Sequence, residues 1–146
     1  MGGQSVPPDD VKSIQDDILT IVGGNFTPVS LGVDGYEAVR SRARSRAADY
    51  LAVFEQLFLG ANFDAMLQSR LHLPTFLELL SDVEPEAVRQ TADRLLKQYD
   101  AVLIMYDQAK DKSALFELLP EDSMRLFQRL DSRRKSLQLL AEGKKG

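Results

Sequence analysis

Apolar residues recur at three- and four-residue intervals along most of the chain, the pattern of amphipathic helices that each bury one side. Val11, Ile14, Ile18, Ile21 and Val22 share a face, between a start signal in Pro7-Pro8-Asp9-Asp10 and a stop at Gly23-Gly24. Proline suits a first helical turn, early acids suit the positive end of the helix dipole, and the glycine pair offers a left-handed cap. The stripe Tyr36, Val39, Ala43, Ala47, Tyr50, Leu51, Phe54, Leu57 and Phe58 predicts one long helix, capped by Asp34 with Glu37 three residues on and ended by Gly60. Asn62 can cap a further helix with Phe63, Met66, Leu67 and Leu71 inward. Pro74 then breaks or kinks the chain, and Leu73, Phe76, Leu77, Leu79 and Leu80 carry the pattern to Ser81-Asp82.

Pro85 opens the cleanest stripe, formed by Val88, Ala92, Leu95, Leu96, Tyr99, Val102, Leu103 and Tyr106. Residues 101–106 are apolar nearly all round, so this half should be the most buried, and Leu96, Tyr99 and Leu103 are expected in the core. A short helix is expected at 113–119. A last one runs from Pro120 with Leu126, Phe127, Leu130, Leu137 and Leu140 inward and a gap at 131–136. Only 25–33 departs from helical spacing. Pro28 and Gly32 interrupt its loose alternation and no second strand exists to pair with it, so it reads as an extended connector. The pattern predicts an all-α fold of six to seven helices. Residues 1–7 would be a flexible N-terminus, 8–142 a single all-helical domain and 143–146 a frayed tail.

Residues 73–96 contain Leu79-Leu80, then Asp82 in a turn, then Val88-Arg89-x-x-Ala92-x-x-Leu95. This stretch resembles a HEAT-like (armadillo-type) helical repeat, in which a first helix ends in Leu-Leu and Val-Arg-x-x-Ala opens the second. Val39-Arg40-x-x-Ala43 repeats the key element 49 residues earlier, slightly beyond the usual spacing of ~40–47. The resemblance implies a short α-α superhelix that binds proteins, with an irregular helical bundle as the alternative. It also implies that the second helix of the pair lines the partner-binding curve, which makes Arg89, Asp93, Lys97 and Asp100 the candidate partner contacts.

Composition narrows the chemistry. The chain has 146 residues, no cysteine and one histidine, so thiolate sites and a His–His metal pair are excluded. His72, between two leucines just before Pro74, reads as a capping or surface residue. The adjacent acids Asp16-Asp17, Glu84/Glu86 and Glu121-Asp122 read as helix-start or surface groups. No catalytic residues, metal ligands or cofactor-binding residues are assigned, and no glycine-rich phosphate loop is present. The expectation is therefore a non-enzymatic protein-protein interaction or adaptor module without cofactor. Asp93, Asp100 and Asp107 lie opposite the core stripe, too far apart along the helix for one metal ion.

The net charge is −4, which argues against bulk nucleic-acid binding. Arg40, Arg42, Arg44 and Arg46 do not form one basic face, because 40 and 44 flank one side of the stripe and 42 and 46 the other. Glu37–Arg40 and Arg46–Asp49 are spaced to pair. Residues 120–146 carry seven bases against four acids, so a nucleic-acid contact through Arg133–Lys135 is one alternative. A second is a small regulatory or ligand-binding bundle, with a pocket where 101–106 meets Phe26–Val33. No apolar run spans a membrane and no secretory signal is visible, which with the lack of cysteine points to a cytoplasmic protein.

Overall fold

The computed structural model describes residues 6–60, 71–108 and 120–143. Among them are seven helices and no strand: α1 Pro8–Val22, α2 Pro28–Leu31, α3 Val33–Ser45, α4 Ala47–Phe58, α5 Leu73–Leu80, α6 Pro85–Gln108 and α7 Pro120–Ala141. The all-α class holds. The helices expected at 62–71 and 113–119, and the outermost residues of both tails, fall largely or wholly outside the described residues.

α1 starts and stops as its sequence directs. Pro8, Asp9 and Asp10 form the first turn, and Gly24 turns the chain away at φ +93°, a region closed to most side-chain-bearing residues. Ile14, Ile18, Ile21 and Val22 are buried. The Val22 carbonyl accepts a hydrogen bond from the His72 N–H at 2.7 Å, which pins the end of α1 to the start of α5.

The connector is not extended. The Thr27 hydroxyl accepts from the Ser30 N–H at 3.1 Å and Pro28 supplies a first-turn φ, so local capping wins one helical turn. Phe26 packs on Tyr36 with ring centroids 4.7 Å apart, but Val29 is 96% exposed, so only part of this apolar segment lies on the helices. α3 begins at Val33 behind Gly32, one residue before the expected Asp34 cap; Asp34 sits in its first turn instead.

The long helix expected over 34–60 is two. Arg46 leaves helical geometry (φ −126°, ψ 41°) and ends α3 as it begins α4. Hydrogen bonds from the Arg46 N–H to the Arg42 carbonyl and from the Tyr50 N–H to the Arg46 carbonyl bracket the break. No proline or glycine marks it, which is why the apolar stripe runs through it unbroken: Ala43, Ala47, Tyr50, Leu51 and Phe54 are all buried.

Pro74 falls at the start of a helix, and the helix it is expected to break lies largely outside the described residues. Pro74 stands in the first turn of α5, where a missing N–H costs nothing. α5 packs against α1, α3, α6 and α7, and Leu73, Phe76, Leu77 and Leu80 are buried at this crossing. Phe76 stacks on Phe54 of α4 with centroids 4.5 Å apart and planes nearly parallel.

α6 and α7 form the most extensive helix pair. Val88, Ala92, Leu95 and Tyr99 are buried as expected. The expectation for 101–106 fails: Val102 and Leu103 are half-buried, while Ile104 and Met105 are 56% and 55% exposed. Among the described residues α7 is the main neighbour of α6, and an apolar composition all round does not by itself bury every side of 101–105. Leu96 is likewise half-buried. In α7 the gap at 131–136 is filled by Arg133, only 8% exposed between the buried Leu130 and Leu137.

Replacing Leu95 with alanine should lower the unfolding free energy by about 2–5 kcal/mol, as for other fully buried leucines. Leu96→Ala should cost clearly less. Urea denaturation of the two variants checks this, and the reverse order would contradict the assignment of the buried face.

Candidate functional site

The arginine-rich stretch of α3 is an internal clamp. Arg42 donates from Nε and Nη2 to the two oxygens of Asp17 on α1, both at 2.9 Å. The Tyr50 hydroxyl of α4 donates to the same carboxylate at 2.6 Å. Arg44, on the other flank, donates to Asp82 in a two-pronged pair at 2.8 and 3.1 Å and to the Leu79 carbonyl at 2.8 Å, capping the end of α5. Arg46 bridges Asp49 and Asp10. The expected Arg46–Asp49 pair is present. The expectation that Asp17 is a surface acid is wrong: it is buried, because it occupies an inward position between Ile14 and Ile21.

Burial alone would raise the Asp17 carboxyl; the hydrogen bonds from Arg42 and Tyr50, with the Arg42 charge, outweigh it and hold the group below its usual 3.8. Burial and the Asp17 charge push the Tyr50 hydroxyl up to about 12. Arg44 and Arg46 are raised by their carboxylate partners.

The four candidate contacts on α6 share one face but not one network. Lys97 pairs with Asp93 at 3.0 Å, whereas Arg89 turns to Glu86 at 3.5 Å. Asp100 accepts from Nε of Arg134 on α7 at 2.5 Å, and the Arg89 side chain lies beside Gly143 just past the end of α7. Both ends of the face thus abut α7, and Asp93 and Lys97 are its open part. The next turn brings Ile104, at i+4 from Asp100 and i+7 from Lys97. Between α6 and α7 a groove of about 580 Å³ is lined by apolar Leu103, Ile104 and Phe127 together with Asp100, Asp107, Asp131 and Arg134. Sequence reasoning singled out the charged face but not the exposed apolar residues one turn further on, having assigned 101–106 to the core.

A second cleft, about 320 Å³, lies where the end of α1, the connector, α5 and α7 meet. Ile21, Gly24, Phe26, Thr27, His72, Thr75 and Arg133 line it. His72 Nδ1 stands 2.8 Å from the Thr75 hydroxyl, so the histidine is half-buried and locally bonded rather than a simple surface residue. Burial lowers its pKa, helped by the charge of Arg133. Burial also lowers that of Arg133. The pocket expected where 101–106 meets Phe26–Val33 is not formed by either cleft: Leu103 and Ile104 line the first, Phe26 and Thr27 the second.

Among the described residues no group of three or more His, Asp or Glu side chains could hold a metal ion, and no helix is long and apolar enough to cross a membrane. No protein-family model, no curated protein and no solved structure matches the chain.

Asp17→Asn should cost about 1.5–3 kcal/mol at neutral pH, the worth of hydrogen bonds to a charged group. Because the folded-state pKa is depressed, this contribution is present above the usual carboxyl value and is lost as the pH falls through the folded one. Urea melts from pH 7 downward should show the two proteins converging only below the usual carboxyl value of 3.8; a gap absent at pH 7, or one that does not narrow as the pH falls below that value, would contradict the clamp.

Proposed function

We propose that the chain is a non-enzymatic protein-interaction module of HEAT-like helices. Its contact surface is the open face of α6 with the adjoining α6–α7 groove. The observation that carries this reading is Ile104, more than half exposed one turn beyond Asp100 on the charged face, with the equally exposed Met105 next to it in the chain. Protein contacts concentrate their energy in a few apolar anchors, while charged neighbours set orientation and association rate. Met124 on α7, also more than half exposed, adds a soft apolar side chain to the same pair of helices.

Burial supports the repeat reading. Val39 and Ala43 in α3 are buried, as are Val88 and Ala92 in α6, so the two copies of Val-Arg-x-x-Ala present the same residues to the core. α5 packs on α6 as the first and second helix of such a unit would. The groove carries three carboxylates and one guanidinium among its described lining residues, so the partner that fits is an amphipathic helix with basic flanks. A nucleic-acid contact through Arg133–Lys135 is disfavoured, since Arg133 is buried and Arg134 and Lys135 pair with Asp100 and Asp131.

Selection from a displayed library of helical peptides tests this directly. Recovered sequences should carry apolar residues at helical spacing flanked by Lys or Arg, and should lose binding to Ile104→Glu/Met105→Glu. The double exchange Asp93→Lys/Lys97→Asp should change stability by less than about 1 kcal/mol, as for other exposed pairs, while slowing peptide association. Peptides that bind the Ile104→Glu/Met105→Glu protein equally well would refute the assignment.

A further inference from the structure

The cleft beneath the connector has the composition of a ligand site. Ile21 and Phe26 give it an apolar wall. Thr27, Thr75, His72 and Arg133 bring hydroxyl, imidazole and guanidinium groups to the same space. No carboxylate is among its described lining residues. Arg133 is more than nine-tenths buried, and a guanidinium held there keeps its planar fork in one orientation. One helical turn earlier, Arg129 adds a second positive charge, close enough to disfavour the charged form of Arg133. The Nε of Arg129 is itself buried without a hydrogen-bond partner. Two cations one turn apart on α7 raise the positive potential around the cleft that Arg133 lines, which favours an anion there.

We propose that this cleft binds a small organic anion, its carboxylate or phosphate head held by Arg133 and His72, with Thr75 positioning the imidazole, and its apolar body against Phe26 and Ile21. A volume of about 320 Å³ sits at the small end of ligand pockets and suits a body of roughly one ring. The Thr75–His72 contact serves the site: with the Thr75 hydroxyl donating to Nδ1, the imidazole proton stays on Nε2 as a donor. A ligand here would touch residues of α1, the connector, α5 and α7 at once, so its binding ties together elements that are distant in sequence. This site is distinct from the α6–α7 groove and stands or falls independently of it.

His72 is the chain's one histidine, so its imidazole resonances report on the cleft without assignment. Benzoate, phenyl phosphate and, as the neutral control, benzyl alcohol are titrated into the intact protein. At least one of the two anions should move the His72 signals saturably, and benzyl alcohol should not. Which anion acts distinguishes a carboxylate head from a phosphate head. Arg133→Met should weaken that binding by roughly tenfold or more, the loss expected for a charge-assisted fork. If Arg133→Met does not fold, Arg133→Lys, which keeps the charge without the fork, should still weaken it measurably, as should Thr75→Val. The proposal is overturned if neither anion shifts His72, if benzyl alcohol binds as well as the anions, or if a folded Arg133 variant binds them unchanged.

Discussion

A carboxylate taken out of water must recover its hydrogen bonds inside the protein, and Asp17 recovers three. Two come from Arg42 on α3 and one from Tyr50 on α4, so a single side chain of α1 ties both halves of the broken helix to the first. Arg46 repeats the tie at the other end of α1 through Asp10, and Arg44 carries it across to Asp82 after α5. Arg42 and Arg46, four residues apart, reach Asp17 and Asp10 in reverse order, which sets α1 antiparallel to α3. The helix break at Arg46 falls where this tie is made. α5, pinned to α1 by the Val22–His72 hydrogen bond, then brings Phe76 against Phe54 and closes the core.

Much of this was legible in the spacing of apolar residues. The helix class, the limits of α1, the start of α6 at Pro85 and the buried positions Val88, Ala92, Leu95 and Tyr99 follow from period and punctuation. So does the division of arginines between two flanks of α3, which the structure uses to reach α1 on one side and α5 on the other. What escaped shares a cause. Asp17 stands at i+3 from Ile14 and i−4 from Ile21; Arg133 stands at i+3 from Leu130 and i−4 from Leu137. Each is a charged residue on the buried stripe, and reading by polarity moved it to the surface. The stripe position was the better guide, because a buried charge with partners can hold a core position. The break at Arg46 was not legible, since its two carboxylate partners lie elsewhere in the sequence or across the bend.

The misplaced apolar run at 101–106 is instructive in the opposite sense. Helical composition says how much surface a segment would like to bury, whereas the number of neighbours decides how much it does bury. Leu103 lines the groove against α7, Val102 is half-buried, and Ile104 and Met105 stay open, Ile104 one turn beyond Asp100. The same α7 supplies Arg134 to the outward side, through Asp100, and Arg133 to the inward cleft, one residue apart and roughly 100° around the helix. α7 therefore contributes to two surfaces of different character: the mixed charged and apolar groove it forms with α6, and the cleft it shares with α1, the connector and α5, where Arg133 and His72 are the ionisable groups.

The claim on which the architecture rests is that Asp17 and Arg42 act as a pair. A double-mutant cycle with Asp17→Asn and Arg42→Gln, read by urea denaturation at neutral pH, measures that coupling directly. Arg42 is 54% exposed, so solvent moderates the pair, and the account predicts a favourable coupling above about 0.5 kcal/mol. Strictly additive losses from the two substitutions would contradict it, and would reduce the arginine-rich helix to an ordinary solvated face.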